Sequence, residues 1–152
     1  MSKQIHKSHN VTLLLYHLVC PAKYRKKVFT EENERTLKNI CYEIEQRYEL
    51  DYIEIGTDED HVHFLIQSVP MMLPTQIVKT TKTITAKEMF RQHPEIKKML
   101  WGGHLWTSGF YMNTVSRYGN EEVIKQYVQN QGKQYKQIHR KNLNEQLSLF
   151  SW

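Results

Sequence analysis

Cysteine, glycine, proline and long apolar runs are all scarce in this sequence, and each scarcity excludes a protein class. Only Cys20 and Cys41 occur, far apart and with no Cys-x-x-Cys pair, so neither a disulfide framework nor a cysteine zinc site is indicated. Six glycines and four prolines among 152 residues, with 39% hydrophobic and 24% charged positions, exclude collagen-like, low-complexity and acidic disordered chains. The longest apolar run, Val11 to Cys20, is broken by Thr12, Tyr16 and His17 and is about half the length that a membrane helix needs. Lys3 and Lys7 before it imitate a signal peptide. The run leads, however, into Pro21 and the basic stretch Lys23 to Lys27 rather than a small-x-small cleavage site, so it reads as a strand of a cytoplasmic protein. No repeat or linker divides the chain. A single domain over 1–152 is expected, with a core at about 8–136 and a polar, basic tail over 137–152 whose end is apolar (Leu147, Leu149, Phe150, Trp152), suited to docking.

Charge is unevenly distributed. Residues 1–76 hold 9 Lys and Arg against 11 Asp and Glu, whereas 77–152 hold 12 against 5, so the second half carries the excess of positive charge. Such an excess serves a polyanion, nucleic acid above all, because neutralising phosphates releases counterions; a solvated basic surface is the plain alternative.

Val11 to Val19 is apolar on both alternating faces, as in a central strand. From Thr30 to about Tyr48, Leu37, Ile40, Cys41, Ile44 and Tyr48 repeat at helical spacing behind a Thr30-Glu31-Glu32 start signal. Leu50–Thr57 and His61–Ser68 read as a hairpin around Gly56 and the acidic turn Asp58-Glu59-Asp60. A second helix is expected after Pro70 and Pro74 to about Gln92, although its Thr and Ile content favours strand locally. Trp106 to Ser116 alternates as a fourth strand, and Asn120-Glu121-Glu122 caps a third helix to about Gln131. The order βαββαβ plus a terminal helix predicts an α+β, ferredoxin-like antiparallel sheet with helices on one face and the other face open.

His61 and His63 flank Val62, and the period of two in a strand puts both imidazoles on one face, about 6 to 7 Å apart at Cα, while Val62, Phe64 and Ile66 face the helices. Two histidines so placed reach one divalent ion and leave it open positions, as a catalytic rather than a structural site requires; ordinary surface or core histidines are the plainer reading. Tyr127 and Gln131 stand one turn apart on the third helix, a spacing that Tyr42 and Gln46 share on the first. Lys79, Lys82, Lys87 and Arg91 could line a DNA backbone groove or form a solvated helix face. Asp58, Glu59 and Asp60 are read as turn residues, with support of the histidines as the rival role. His6, His9, His17, His93, His104 and His139 have no partner spacing and are read as structural, and Trp101 and Trp106 as core or interface.

Three segments in this order, His61-Val62-His63, Leu105-Trp106-Thr107-Ser108-Gly109-Phe110-Tyr111 and the helix Glu122 to Gln131 with its Tyr-x-x-x-Gln, resemble the HUH single-tyrosine transposases of bacterial insertion sequences. The resemblance spans about residues 8–136. It implies a C-terminal catalytic helix with Tyr127 as the nucleophile toward single-stranded DNA, and Mg²⁺ or Mn²⁺ bound by His61, His63 and Gln131. It further implies a transposase that recognises hairpin ends, forms a 5′-phosphotyrosine, and works as a homodimer with active sites shared in trans, with no membrane partner. Gly119 would supply a joint before the helix, or simply a helix-start turn. Rival readings are a noncatalytic RNA-binding sheet, for which His61 to Gln67 shows no RNP1 pattern, a metal-dependent phosphodiesterase using water, and a domesticated relative acting on repeated palindromes.

Overall fold

Thr30 begins the first long helix as a cap: its Oγ1 accepts a hydrogen bond from the Asn33 N–H at 3.2 Å, and Glu31, Glu32 and Glu34 place negative charge at the positive helix end. In the computed structural model, which describes residues 6–7, 10–11, 14–58, 60–100, 102–116 and 136–141, this is α1 (Glu31–Arg47). Before it come β1 (His6–Lys7), β2 (Asn10–Val11) and β3 (Leu14–Pro21); after it come β4 (Asp51–Thr57), β5 (His61–Ser68), α2 (Pro74–Gln92), α3 (Pro94–Met99), β6 (Tyr111–Ser116) and β7 (Lys136–Arg140). β1 and β2 form a small ribbon, and the other strands form one antiparallel sheet in the order β6-β3-β5-β4-β7. The first four of these strands have the spatial order of the expected ferredoxin-like fold, and β7 extends it at the β4 edge.

One face of the sheet makes the core. Leu14, Tyr16, Leu18 and Cys20 of β3 and Val62, Phe64 and Ile66 of β5 meet Leu37, Ile40, Cys41 and Ile44 of α1, each fully buried aliphatic side chain contributing about 1.5–3 kcal/mol. A register shift between Tyr52 and Glu54 lets β4 place both Tyr52 and Ile55 on that face. Both cysteines are buried free thiols. Two of the five threonines of α2 satisfy buried polar groups: Tyr52 Oη and Thr81 Oγ1 lie 2.8 Å apart, Thr85 Oγ1 donates to the Thr81 carbonyl at 2.6 Å, and the Trp106 indole N–H donates to Thr85 Oγ1 at 2.9 Å. Pro94 ends α2, as the residue before a proline is forced out of the helical region; His93 sits at φ −131°, ψ 74°, and α3 restarts at the proline.

Four expectations need correction. The first strand is shifted, since Asn10 and Val11 pair within the ribbon and the central strand runs on to Pro21. The fourth strand starts at Tyr111, five residues later than the alternation suggested; Trp106 instead forms a lone bridge to Ala22 with its ring buried. The second sheet face is open only in part: Leu15, Leu65 and Gln67, which share it, are buried. The polar stretch after Lys133 contains β7, an edge strand. The expected third helix, with Gly119, Tyr127 and Gln131, lies outside the described residues.

Candidate functional site

β5 fixes the two histidines from beneath. Val62 and Phe64, both completely buried, key the strand into the core, so His61 and His63 must emerge on the opposite face, where their ring centroids are 6.4 Å apart and both are half-buried. Across the sheet, Pro21 of β3 stands opposite His61, and Val19 of β3 and Gly56 of β4 flank His63. The glycine offers no side chain there. This end of the second face is where the sheet surface becomes accessible.

The hairpin turn does more than reverse the chain. The Asp58 N–H donates to the His61 carbonyl at 3.1 Å, and both aspartates turn their carboxylates onto the imidazoles: Asp60 Oδ1 lies 2.6 Å from His61 Nδ1, Asp58 Oδ1 3.5 Å from the same nitrogen, and Asp58 Oδ2 3.2 Å from His63 Nε2. Arg25, held at φ 54°, donates to Asp60 Oδ2 at 2.8 Å, and this bond keeps the Asp60 carboxyl below its ordinary pKa. An ionised Asp60 accepts the His61 Nδ1 proton and so leaves the Nε2 lone pair as the ligand nitrogen, the arrangement by which metal-binding histidines are usually oriented. Burial, only partly opposed by Asp58, lowers the pKa of His63 and favours the neutral imidazole that binds metals. Ligand atoms of Asp58, Asp60 and His61 lie within 4.8 Å of one another. Asp58 and Asp60 stand behind the imidazoles as hydrogen-bond partners, so the described part of the expected ligand set is imidazole nitrogen without thiolate, which fits Mn²⁺ rather than a thiophilic ion.

A third histidine belongs to the site. His17 of β3 stacks on His63 with ring centroids 5.6 Å apart at 20°, and its Nε2 approaches His63 Nδ1 at 3.4 Å. Burial, with a further push from His63, lowers its pKa to about 4, so it is a neutral neighbour that limits how His63 can turn. Sequence alone gives His17 a structural reading, because no spacing along the chain connects it to His63; only the β3–β5 register does.

The expected basic residues divide between two grooves, with Lys82 and Lys87 lining one and Lys79 the other. Lys82 donates to the carbonyl oxygens of Thr107 at 2.8 Å and Gly109 at 3.4 Å and sits over the Phe110 ring, so it tethers the segment before β6. Arg91 is engaged by Glu88 at 2.7 Å. Lys79 lines one groove, with Arg47 and Tyr48, while Lys87 lines another with Lys23 and His104. Among the other residues read as structural, His93 ties α1 to α2, its Nε2 lying 2.6 Å from Thr36 Oγ1, and His139 lies 3.1 Å from the Tyr52 carbonyl. No helix among the described residues is long and apolar enough to cross a membrane.

Comparison with known proteins gives a consistent result. The family model described as "Transposase IS200 like" matches residues 10–131. The ISDra2 transposase TnpA of Deinococcus radiodurans is 35% identical over 118 residues, covering 78% of this chain and 84% of that protein. The transposase for insertion sequence element IS200 of Salmonella typhimurium is 25% identical over 134 residues, covering 88% and 83%. Among solved structures, a Deinococcus radiodurans chain described as a transposase superposes with a TM-score of 0.66 at 33% identity, covering 86% of this chain and 98% of that one. A REP-associated tyrosine transposase bound to a REP hairpin has the same fold, with a TM-score of 0.52 at 10% identity over 84% and 68% of the two chains.

Proposed function

The chain belongs to the family of IS200-like transposases, and on that premise we propose that it cuts and rejoins single-stranded DNA at insertion-sequence ends through Tyr127. The observation that carries the reading is the His61–His63 pair on one sheet face, with Asp60 orienting His61. The Tyr127 oxygen attacks phosphorus as its phenolic proton departs; the bond to the 3′ oxygen breaks, leaving a 5′-phosphotyrosine and a free 3′-OH. A 3′-OH of another strand then attacks the phosphotyrosine and releases the phenol, so joining needs no nucleotide cofactor. His61, His63 and Gln131 would hold Mg²⁺ or Mn²⁺, which supplies Lewis-acid polarisation of the phosphate and offsets the charge of the transition state. Asp60 fixes the tautomer of His61, His17 limits the rotation of His63, and Asp58 keeps anionic oxygen beside both rings.

Hairpin ends are the proposed recognition element, supported by the hairpin-bound structure of the same fold. The working form is a homodimer in which Tyr127 of one subunit serves the histidines of the other.

Incubation with single-stranded element ends followed by denaturing electrophoresis tests the chemistry. Wild type should yield a covalent protein–DNA adduct, and Tyr127→Phe should bind DNA yet yield none. An adduct of undiminished yield from Tyr127→Phe removes that residue from the mechanism, and hydrolysis by wild type without any adduct favours a water nucleophile. Mixed dimers of Tyr127→Phe and His61→Ala should regain nicking at a fraction of wild type, whereas sites built within one chain give no rescue.

A further inference from the structure

The apolar residues beyond β7 have no part in the proposed chemistry. Leu143, Leu147, Leu149, Phe150 and Trp152 lie within the eleven positions 142–152, which carry Glu145 as their one charged side chain. Such a stretch gains about 25 cal/mol for each Å² of apolar surface that it withdraws from water.

A groove of about 520 Å³ at the Ser68 end of β5 is placed to receive it, lined by Val69, Met71 and Met72 together with Arg47, Tyr48 and Lys79. His61 stands at the other end of that strand, roughly 23 Å away at the usual strand rise. Met71 is 81% exposed, Leu73 beside it 58% and Tyr48 37%, so the described residues leave apolar surface bare here. Methionine makes an adaptable wall, because its unbranched thioether refits around branched or aromatic neighbours. Arg47 and Lys79 are exposed and outnumber the single lining carboxylate, Glu49, which gives the rim a positive excess.

Backbone direction brings the stretch to this groove. β7 runs antiparallel to β4, with Lys136 opposite Thr57 and Arg140 opposite Glu54, so it advances toward the start of β4. There the Lys141 N–H donates to the Ile53 carbonyl at 2.8 Å, and the Lys141 ammonium is fastened to Glu45 at 2.7 Å and to Asp51. Those two acids flank, in sequence, the Arg47–Glu49 segment that lines the groove. From Lys141, eleven residues reach about 36–40 Å if extended and about 16 Å if helical, so either form enters it.

We propose that residues 142–152 dock into this groove of their own chain, with Leu147 and Phe150 against Tyr48, Met71 and Met72 and with Glu145 toward Arg47 and Lys79. Surface and charge agree: the groove offers apolar walls beneath a basic rim, and the stretch offers apolar side chains with one acid and no base. The inference is independent of the strand-transfer reading.

Peroxide footprinting of the full chain tests it. Met71 should be oxidised about tenfold more slowly in wild type than in the Leu147→Ser/Phe150→Ser protein, because attack on wild type waits for the docked stretch to open. Met99, 48% exposed and outside the groove, should react equally in both. With p-benzoylphenylalanine in place of Phe150, irradiation should give adducts to Met71 or Met72, identified by peptide mass spectrometry in the monomer band of a denaturing gel. Circular dichroism matching wild type establishes that the variants are folded. Equal Met71 rates in wild type and variant, or no adduct to either methionine, would overturn the proposal. Adducts running at the mass of two chains would overturn it as well, since the stretch then docks on a second copy.

Discussion

Carboxylates crowd both the β4–β7 edge of the sheet and the hairpin end of β5, yet the two places treat them differently. At the edge, Glu34, Glu45, Asp51 and Glu54 are buried and each faces a full cation from the end of the described chain: Lys136 on Glu34 at 2.7 Å, Arg140 on Glu54 at 2.9 Å, and Lys141 on Glu45 at 2.7 Å and on Asp51. Further bonds add to these, such as the Tyr52 N–H to Glu45 Oε2 at 2.7 Å and Thr57 Oγ1 to Glu34 Oε2 at 2.5 Å. At the hairpin, Asp58 and Asp60 are more accessible and face imidazoles, with the exposed Arg25 as the permanent cation on Asp60. Permanent cations make a closed structural junction; titratable, ligand-capable partners leave a site whose contents can be exchanged. Carboxylate clustering alone therefore does not identify a reactive centre, and the nature of the partner does.

That contrast is sharpest in substitutions that separate chemistry from folding. His61→Ala or His63→Ala should abolish the covalent DNA adduct while moving the urea unfolding free energy by about 1 kcal/mol or less, since both rings stand outside the hydrophobic core, on the accessible end of the other sheet face. Residual adduct near the wild-type level would remove the pair from the mechanism. Lys141→Met should do the reverse, costing about 3–5 kcal/mol because Glu45 and Asp51 stay buried without their cation, with folded molecules still forming adduct. A loss below about 1 kcal/mol in urea titration would show that the edge is not the structural junction described.

A smaller effect should appear with pH. The folded pKa of His17, about 4, lies below the 6.5 of an unfolded histidine, so between these values the unfolded chain binds a proton that the folded chain does not. Its contribution is therefore complete above about pH 6.5 and falls away as the pH drops toward 4, by roughly 1–3 kcal/mol. His17→Phe keeps a stacked ring and should flatten that part of the stability–pH curve; an unchanged slope would place the titration elsewhere. Least in magnitude, Mn²⁺ at about ten times its dissociation constant should add about 1.4 kcal/mol to wild-type stability and nothing to the His61→Ala/His63→Ala protein. Mg²⁺ should act more weakly at equal concentration, because imidazole suits the softer ion. Full cleavage in EDTA would refute the metal role.

Which features are legible in the sequence depends on the range of the signals. The α1 stripe, the Thr30 cap and the bounds of β5 are local patterns, and the structure reproduces them, with α1 at Glu31–Arg47 and β5 at His61–Ser68. The same-face geometry of His61 and His63 comes from strand period alone. His17 is illegible because its meaning arises from a strand register that sets it diagonally beside His63, 46 residues away in sequence. β7 is illegible for a related reason: Lys136 to Arg140 carries one aliphatic residue, Ile138, and its pairing is explained by acids in the first half of the chain. The Thr-rich α2 reads locally as strand, and tertiary hydrogen bonds to Tyr52 and Trp106 decide otherwise. The charge asymmetry of the two halves is similarly reduced on folding, since Lys136, Arg140 and Lys141 are turned onto acids rather than toward a polyanion.

The closing of the sheet by β7 also has a kinetic side. Lys136 meets Glu34 across 102 residues, Lys141 meets Glu45 across 96 and Arg140 meets Glu54 across 86. At ribosomal rates of about 5–20 residues per second, each acid is synthesised roughly 5–20 s before its cation exists. The nascent chain must hold β4 against β5 with those carboxylates hydrated, and only the late arrival of β7 allows them to be withdrawn from water. Edge pairing of such high contact order is slow to form, as is that of β6 on β3 at the other edge, and until β7 docks β4 is an unpaired edge open to the wrong partner.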